Sequence, residues 1–365
     1  MKSNILIIGG TGTLSSTVVR HSKVAGYDVT IMNRGSRNRV VPDGVHICKC
    51  DVHNRQDLEN VIKDSHFDII IDFVSRVPTD IEISYGTLQN HCKQYIFISS
   101  ACVYRRAEGD FPIKEDSPKP NKDWNYNIEK YDCENTLIQM SQTAESYYTI
   151  VRPYITYDDE RIPFGIAPAY KYHRTIIERI RNDKPMFLWD EGKITTTLTH
   201  VEDFAKALVG LFLNAKAEDQ DFHITGDFRY TWKEFMLKLY EHLGKTPQIV
   251  YLSSKEISSV MPNYKGMLQG DRNLDAIFDN SKIKEAVPGL TFDIDLDEGL
   301  ERILKHYAKC SSYDYDYMYD AQIDRIVHQG QYVQYINDDK GGKKLYMLYR
   351  HLPFKLAKRI NKFLF

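Results

Sequence analysis

The chain has 365 residues, 42% hydrophobic and 27% charged, with 48 Lys and Arg against 50 Asp and Glu for a net charge of −2. That length can bury a large core, and the apolar content excludes a disordered chain. The near-neutral balance excludes a protein built mainly to coat nucleic acid, which needs a concentrated excess of cations to neutralise phosphates.

The N-terminus runs from "MKSN" directly into "ILIIGG", which is too short for the apolar core of a secretion signal. No run of about 20 apolar residues follows, so no spanning helix is expected and the cytoplasm is the expected compartment. Six cysteines, at 48, 50, 92, 102, 133 and 310, form no C-x-x-C pair and no His/Cys cluster of metal spacing. Free thiols and no metal site are expected.

Up to residue 155, short apolar runs alternate with amphipathic stretches. "ILIIGG", "DVTIMN", "VHICKC", "DIIIDFV", "QYIFISS" and "YYTIVRP" read as strands, with "SSTVVRHSKVAG", "RQDLENVIKDS", "DIEISYGTLQNHC" and the stretch around Tyr126 as helices. Near-continuous apolar strands separated by helices predict a parallel sheet covered on both faces. The expected fold is α/β, a doubly wound Rossmann-type sheet over residues 1–155. Beyond it, "DFAKALVGLFLNA", "TWKEFMLKLYEHLG" and "LDEGLERILKHYAKC" read as helices, and "QDFHITG" and "QIVYLS" as strands. They predict that 156–309 is mainly a smaller C-terminal substrate-binding lobe.

Residues 310–365 form an appended extension, Tyr-rich in "SSYDYDYMYD" and then basic and amphipathic in "KGGKKLYMLYRHLPFKLAKRINKFLF". It reads as a helix docking on the body or on a second subunit, or as a peripheral contact with an anionic membrane surface.

The first strand ends in "GGTGTLSS". Gly9 and Gly12 stand where a tight turn and a close pyrophosphate need residues without a Cβ, and the following helix offers unpaired N–H groups to the anion. Thr11, Thr13 and Leu14 belong to the same loop, and Ser15 replaces the third glycine of the dinucleotide fingerprint. After the second strand an acidic residue would accept from a ribose 2′-OH, whereas arginine pairs with a 2′-phosphate. Here Asn33 and Arg34 stand, with Arg37 close behind, so NADP(H) is favoured over NAD(H). Asp51 and Val52 end the third strand and Phe73 and Val74 the fourth, at the edge that faces adenine and its ribose.

The fifth strand stops at two hydroxyls, Ser99 and Ser100, and "YNIEK" then puts Tyr126 and Lys130 one helical turn apart. A phenol with a pKa of about 10 is a poor acid or base at neutral pH, and a neighbouring ammonium brings it into range. A second Y-x-x-x-K match, Tyr251 to Lys255, follows no strand ending in serines.

In succession, "GGTGTLS", "SSACVY", "YNIEK", "VRPYITYD", "THVEDFAKAL" and "FHITGD…YTWKEF" resemble the extended short-chain dehydrogenase/reductases, in the branch of NAD(P)-dependent nucleotide-sugar epimerases, dehydratases and reductases. The resemblance covers residues 3–308. It implies catalytic Ser100, Tyr126 and Lys130, cofactor contacts that include Ser99, Tyr126, Lys130 and Pro153, and substrate contacts from Ser100, Val103, Tyr104 and Arg272. It further implies a nucleotide-sugar substrate in bacterial-type surface polysaccharide precursor synthesis, and a homodimer. Ala101 and Cys102 replace the Asp-Glu pair of the 4,6-dehydratases, so an epimerase or 4-keto reductase is expected and not a 4,6-dehydratase. Leu268 stands where epimerases often carry an arginine, with Arg272 as the substitute. The alternative is a non-catalytic cofactor-binding regulator or an RNA-binding member of the same fold.

Overall fold

Isoleucine and valine occupy successive positions of the early strands because each strand is covered on both faces. The computed structural model describes residues 3–35, 41–107, 109–310, 314–334 and 341–364. In chain order β1 is Asn4–Ile8, α1 Thr13–Val24, β2 Asp28–Asn33, β3 His46–Lys49, α2 Arg55–Ile62, β4 Phe67–Asp72, α3 Pro78–Leu88, β5 Cys92–Ile98, α4 Asn125–Ser141 and β6 Tyr147–Pro153. Next come α5, Val201–Val209, and β7, Gln220–Ile224. Among the described residues these seven strands form one parallel sheet in the order β3-β2-β1-β4-β5-β6-β7.

Alternate residues of each strand go to opposite cores, as a side-chain period of two requires. Ile5, Ile7, Val29, Ile31, Ile69 and Ile71 pack with Val18 and Val19 of α1 and Phe204 and Leu208 of α5. Leu6, Ile8, Met32, Ile70 and Phe97 pack with Leu58 of α2, Ile81 and Tyr85 of α3, and Cys133 and Leu137 of α4.

The chain separates into two units, Met1–Asp158 with Thr197–Asp227 and Ile277–Ile294, and Asp159–Thr196 with Phe228–Ala276 and Asp295–Phe365. Within the second half of the chain, "QDFHITG" joins the sheet as β7, beside β6. A five-residue strand pattern does not say which edge it joins, and a parallel partner needs a crossover connection that sequence spacing alone does not reveal. "QIVYLS" does lie in the second unit, where Ile249–Leu252 pairs in parallel with Met186–Trp189. The separate extension expected over 310–365 belongs to the second unit as well.

Its first helix, α6 (Tyr317–Ile326), is held within that unit by buried charges. Arg179 pairs with Asp320 and Asp324, and Lys184 with the same two carboxylates at 2.8 and 2.7 Å. Removing one partner from such a group leaves a buried charge uncompensated, at a cost of about 3–5 kcal/mol.

In the first unit, Arg152 of β6 donates to both oxygens of Glu134 on α4, at 2.8 and 2.7 Å, and to the Tyr104 hydroxyl at 2.7 Å. It also pairs with Asp221 of β7 at 2.6 Å. His223 lies behind this group, with Nδ1 3.5 Å from Glu115. Burial lowers the His223 imidazole from 6.5 to about 4 and raises the Glu115 carboxyl from 4.5 to about 6. The His223 contribution to stability is complete above pH 6.5 and lost as the pH falls to 4. That of Glu115 is complete below pH 4.5 and lost as the pH rises through 6. At about 1.4 kcal/mol per tenfold change in equilibrium the two are worth about 3 and about 2 kcal/mol, and they largely offset each other. Glu115→Gln removes one side of the balance. Between about pH 7 and pH 4.5 its urea-unfolding free energy is expected to fall by about 2 kcal/mol more than that of the wild type; parallel profiles would exclude the opposition of the two groups.

Candidate functional site

The turn from β1 to α1 is built around backbone that only glycine adopts easily. Gly9 has a φ of +93° and donates its N–H to the Met32 carbonyl at 2.8 Å, tying the loop to the end of β2. A Cβ on Gly9 would lie 2.6 Å from Val74, and one on Gly10 would lie 2.5 Å from Ile31. Ser15, read from sequence as a tolerated replacement of glycine, takes an active part: its hydroxyl donates to the Gly9 carbonyl at 3.1 Å and accepts from the Gly12 N–H at 2.9 Å.

This loop borders a cleft of about 620 Å³ along the C-terminal ends of the strands. Gly9, Thr11, Gly12, Thr13 and Leu14 line it, with Asn33 and Arg34 after β2, Asp51 and Val52 after β3, and Phe73 and Val74 after β4. Ser99, Tyr126 and Lys130 complete the wall among the expected residues. Sequence reasoning missed Arg76 and His53, which also line it. A count of basic side chains just past the strand ends would have found both. Arg37 lies outside the described residues.

One buried carboxylate shapes the rim. Asp72 accepts from the N–H groups of Val74 and Ser75 at 2.8 and 3.0 Å, and from the hydroxyls of Ser75, Ser84 and Tyr95. These bonds fold the chain back after β4 and present Phe73 and Val74 to the cleft. Nearby, Asn33 Oδ1 accepts from the Gly35 N–H at 2.8 Å, and Asp51 Oδ1 from the His53 N–H at 3.2 Å.

Tyr126 and Lys130 sit one turn apart near the start of α4, and both reach the cleft wall. Lys130 is buried. It donates to the carbonyls of Ser75 and Ile98 at 2.7 and 3.0 Å, and burial holds its ammonium below the ordinary lysine value. The Tyr126 ring packs against Trp124 at 4.8 Å between centroids. One turn further along α4, Glu134 accepts from Ser99 Oγ at 2.5 Å while it holds Arg152, so the fifth-strand hydroxyl and the helix are fixed to each other.

Other expected residues lie elsewhere. Ser100 is buried at the start of a short turn, its Oγ accepting from the Cys102 N–H at 3.3 Å, and is not among the residues that line the cleft. Val103 and Tyr104, expected as substrate contacts, have no accessible surface, and the Tyr104 phenol accepts from Arg152. An apolar valine followed by tyrosine reads alike whether it faces a substrate or a core. Pro153 ends β6, where it pairs with Ile224. Arg272 belongs to the second unit, where it pairs with Asp271 and donates to the Gly165 carbonyl. Tyr251 of the second Y-x-x-x-K match lies on a strand and Lys255 on the helix after it, so the pair shares no helix face.

The cleft has the character of a dinucleotide site. The glycine loop allows backbone approach to a pyrophosphate, the α1 N-terminus faces it, and the strand ends form the floor. Residues 5–225 match the NAD dependent epimerase/dehydratase family, and the chain belongs to it. A chloroplast stem-loop binding protein of 41 kDa from Arabidopsis thaliana is 25% identical over 270 residues, covering 70% of this chain and 67% of that protein. The 2′-dehydrokanamycin reductase of Streptomyces kanamyceticus is 20% identical over 284 residues, covering 78% and 79%. A UDP-glucose 4-epimerase from Bifidobacterium longum, solved in complex with NAD+ and UDP, superimposes with a TM-score of 0.67 at 16% identity over 84% of this chain and 99% of that one, and so shares the fold.

The narrow gap at Gly9 makes its own test. Gly9→Ala forces a Cβ against Val74 and strains a left-handed residue by about 1–2 kcal/mol. Dinucleotide affinity, measured by calorimetric titration, is expected to drop at least about tenfold, and an unchanged Kd would remove the loop from the binding site.

Proposed function

We propose that the protein is an NADP(H)-dependent oxidoreductase or epimerase that acts at a carbinol or keto carbon of a nucleotide-linked sugar, in the making of surface polysaccharide precursors. The observation that carries this reading is the placement of Tyr126 and Lys130, one helical turn apart, on the wall of the cleft that the glycine loop borders. A nicotinamide held along the cleft would supply the hydride-transfer chemistry. As phenolate, Tyr126 takes the proton from the substrate oxygen in oxidation; as phenol, it returns that proton in reduction. Lys130, held by two backbone carbonyls, keeps a cation close enough to favour the phenolate. Ser100, whose Oγ already accepts from an amide, retains its O–H to donate to the substrate oxygen.

Arg34 supports the choice of NADP(H), since it is exposed at the cleft where a 2′-phosphate would need a partner. Ala101 and Cys102 are buried and carry no carboxyl group, which argues against a 4,6-dehydratase. The likeness to 2′-dehydrokanamycin reductase favours net reduction of a keto sugar over epimerisation. A second reading, RNA binding, is favoured by the likeness to a stem-loop binding protein.

Tyr126→Phe is expected to lower kcat by about 10²–10⁴-fold with dinucleotide affinity nearly unchanged, assayed against a panel of UDP-, CDP-, GDP- and dTDP-sugars and their 4-keto forms. Full turnover by the variant would exclude the assignment, and salt-sensitive stem-loop binding without turnover of any panel member would favour the second reading. Arg34→Ala is expected to weaken NADPH by about 10–100-fold while leaving NADH nearly unaffected, as loss of one hydrogen bond to a charged group implies. Equal losses for both would overturn the NADP(H) preference.

A further inference from the structure

The last two described helices, α7 (Gly342–His351) and α8 (Phe354–Leu364), are chemically unlike the rest of the chain. Residues 341–365 hold seven Lys or Arg and no Asp or Glu, so the net charge of −2 is the resultant of +7 here and −9 elsewhere. The inward side of the pair is settled. Tyr346, Tyr349 and Ala357 pack with Tyr315, Tyr317 and Ala321 in a small tyrosine core, and the Tyr346 hydroxyl donates to Asp324 at 2.5 Å. Asp324 in turn belongs to the buried charge group with Arg179 and Lys184, so both helices rest on a fixed base.

Outward, the two helices present cations with isolated apolar residues among them. On α8, Lys355, Lys358, Arg359 and Lys362 recur at the spacing of one helical stripe and are exposed, and Leu356 beside them is 45% exposed. On α7, Lys343 and Lys344 are exposed and Met347 is 45% exposed.

We infer that this outward face of α7 and α8 is a docking surface for an anionic lipid bilayer. Three features select that occupant. First, five of the seven cations are lysines, which are depleted from protein interfaces, whereas on a lipid surface their long stems lie along the apolar boundary and their charges reach the headgroups. Second, Tyr346 and Tyr349 are turned inward, so they provide no platform on which single-stranded bases could stack. Third, exposed leucine and methionine within a cationic field would gain nothing from phosphate contacts, but they insert at the headgroup boundary. The attachment is peripheral: among the described residues no helix is long and apolar enough to cross a membrane. Because Tyr346, Tyr349 and Ala357 are spent on the tyrosine core, attraction between charges supplies most of the binding. The surface belongs to the second unit and does not depend on which reaction the cleft performs.

Flotation of the full-length protein with vesicles of phosphatidylcholine, alone or mixed with phosphatidylglycerol, tests this. The protein is expected to float only with the anionic vesicles, and to be released as salt rises above about 0.1 M and the Debye length shrinks below about 10 Å. The combined variant K355Q/K358Q/R359Q/K362Q is expected to lower vesicle partitioning at least about 100-fold, with its thermal melting and dinucleotide affinity unchanged. The surface would be reassigned, and the inference overturned, by equal flotation of wild type and variant or by no flotation at low salt. Charge-dependent binding of a stem-loop RNA, or charge-dependent self-association by light scattering, in the absence of flotation would overturn it equally.

Discussion

Parallel pairing of all seven strands is the constraint on which the first unit rests. Strands that run the same way end on the same edge, so the turns after β1, β2, β3, β4 and β5 are collected along one line. Each crossover helix must then cover a face of the sheet, which is why the strands are apolar on both sides and why the two cores separate by odd and even residues. The cleft is a consequence of this direction. It needs no dedicated scaffold, only loops short enough to stay at the strand ends.

Buried polar groups then set the shape of that edge. Asp72 draws five donors around itself and turns the chain after β4, and Glu134 joins α4 to both Ser99 and Arg152. A charge buried in this way is costly unless every neighbour cooperates, so the groups act as pins for position more than as sources of net stability. Lys130 follows the same rule. Its nitrogen is fixed by two carbonyls from two different strand ends, which holds the start of α4 against the sheet and carries Tyr126 with it. The second unit repeats the device with Arg179, Lys184, Asp320 and Asp324, where the pinned object is the C-terminal extension.

Much of the first unit was legible because its signals are local. Apolar runs separated by amphipathic stretches yielded β1 to β6 and α1 to α4, and the glycine loop, the residue after β2 and the Tyr126/Lys130 spacing all led to residues on one cleft. What escaped was long-range. β7 looked like part of a second lobe because its partner β6 lies 71 residues upstream at the paired positions Val151 and Phe222, and the chain passes through another unit in between. Nothing in "SSACVY" reveals that an arginine 48 residues later donates to the Tyr104 hydroxyl.

Local periodicity and backbone chemistry belong to the sequence by itself: which segments are strands or helices, where only glycine fits, and which side chains share a helix face. These follow from sterics and a repeat of two or 3.6 residues, and they operate within a few residues of one another. Tertiary structure alone decided which charges would be buried together and which strand would close the sheet edge. Those outcomes depend on desolvation and on partners brought from distant segments, and a buried group has no defined energy until its neighbours are in place.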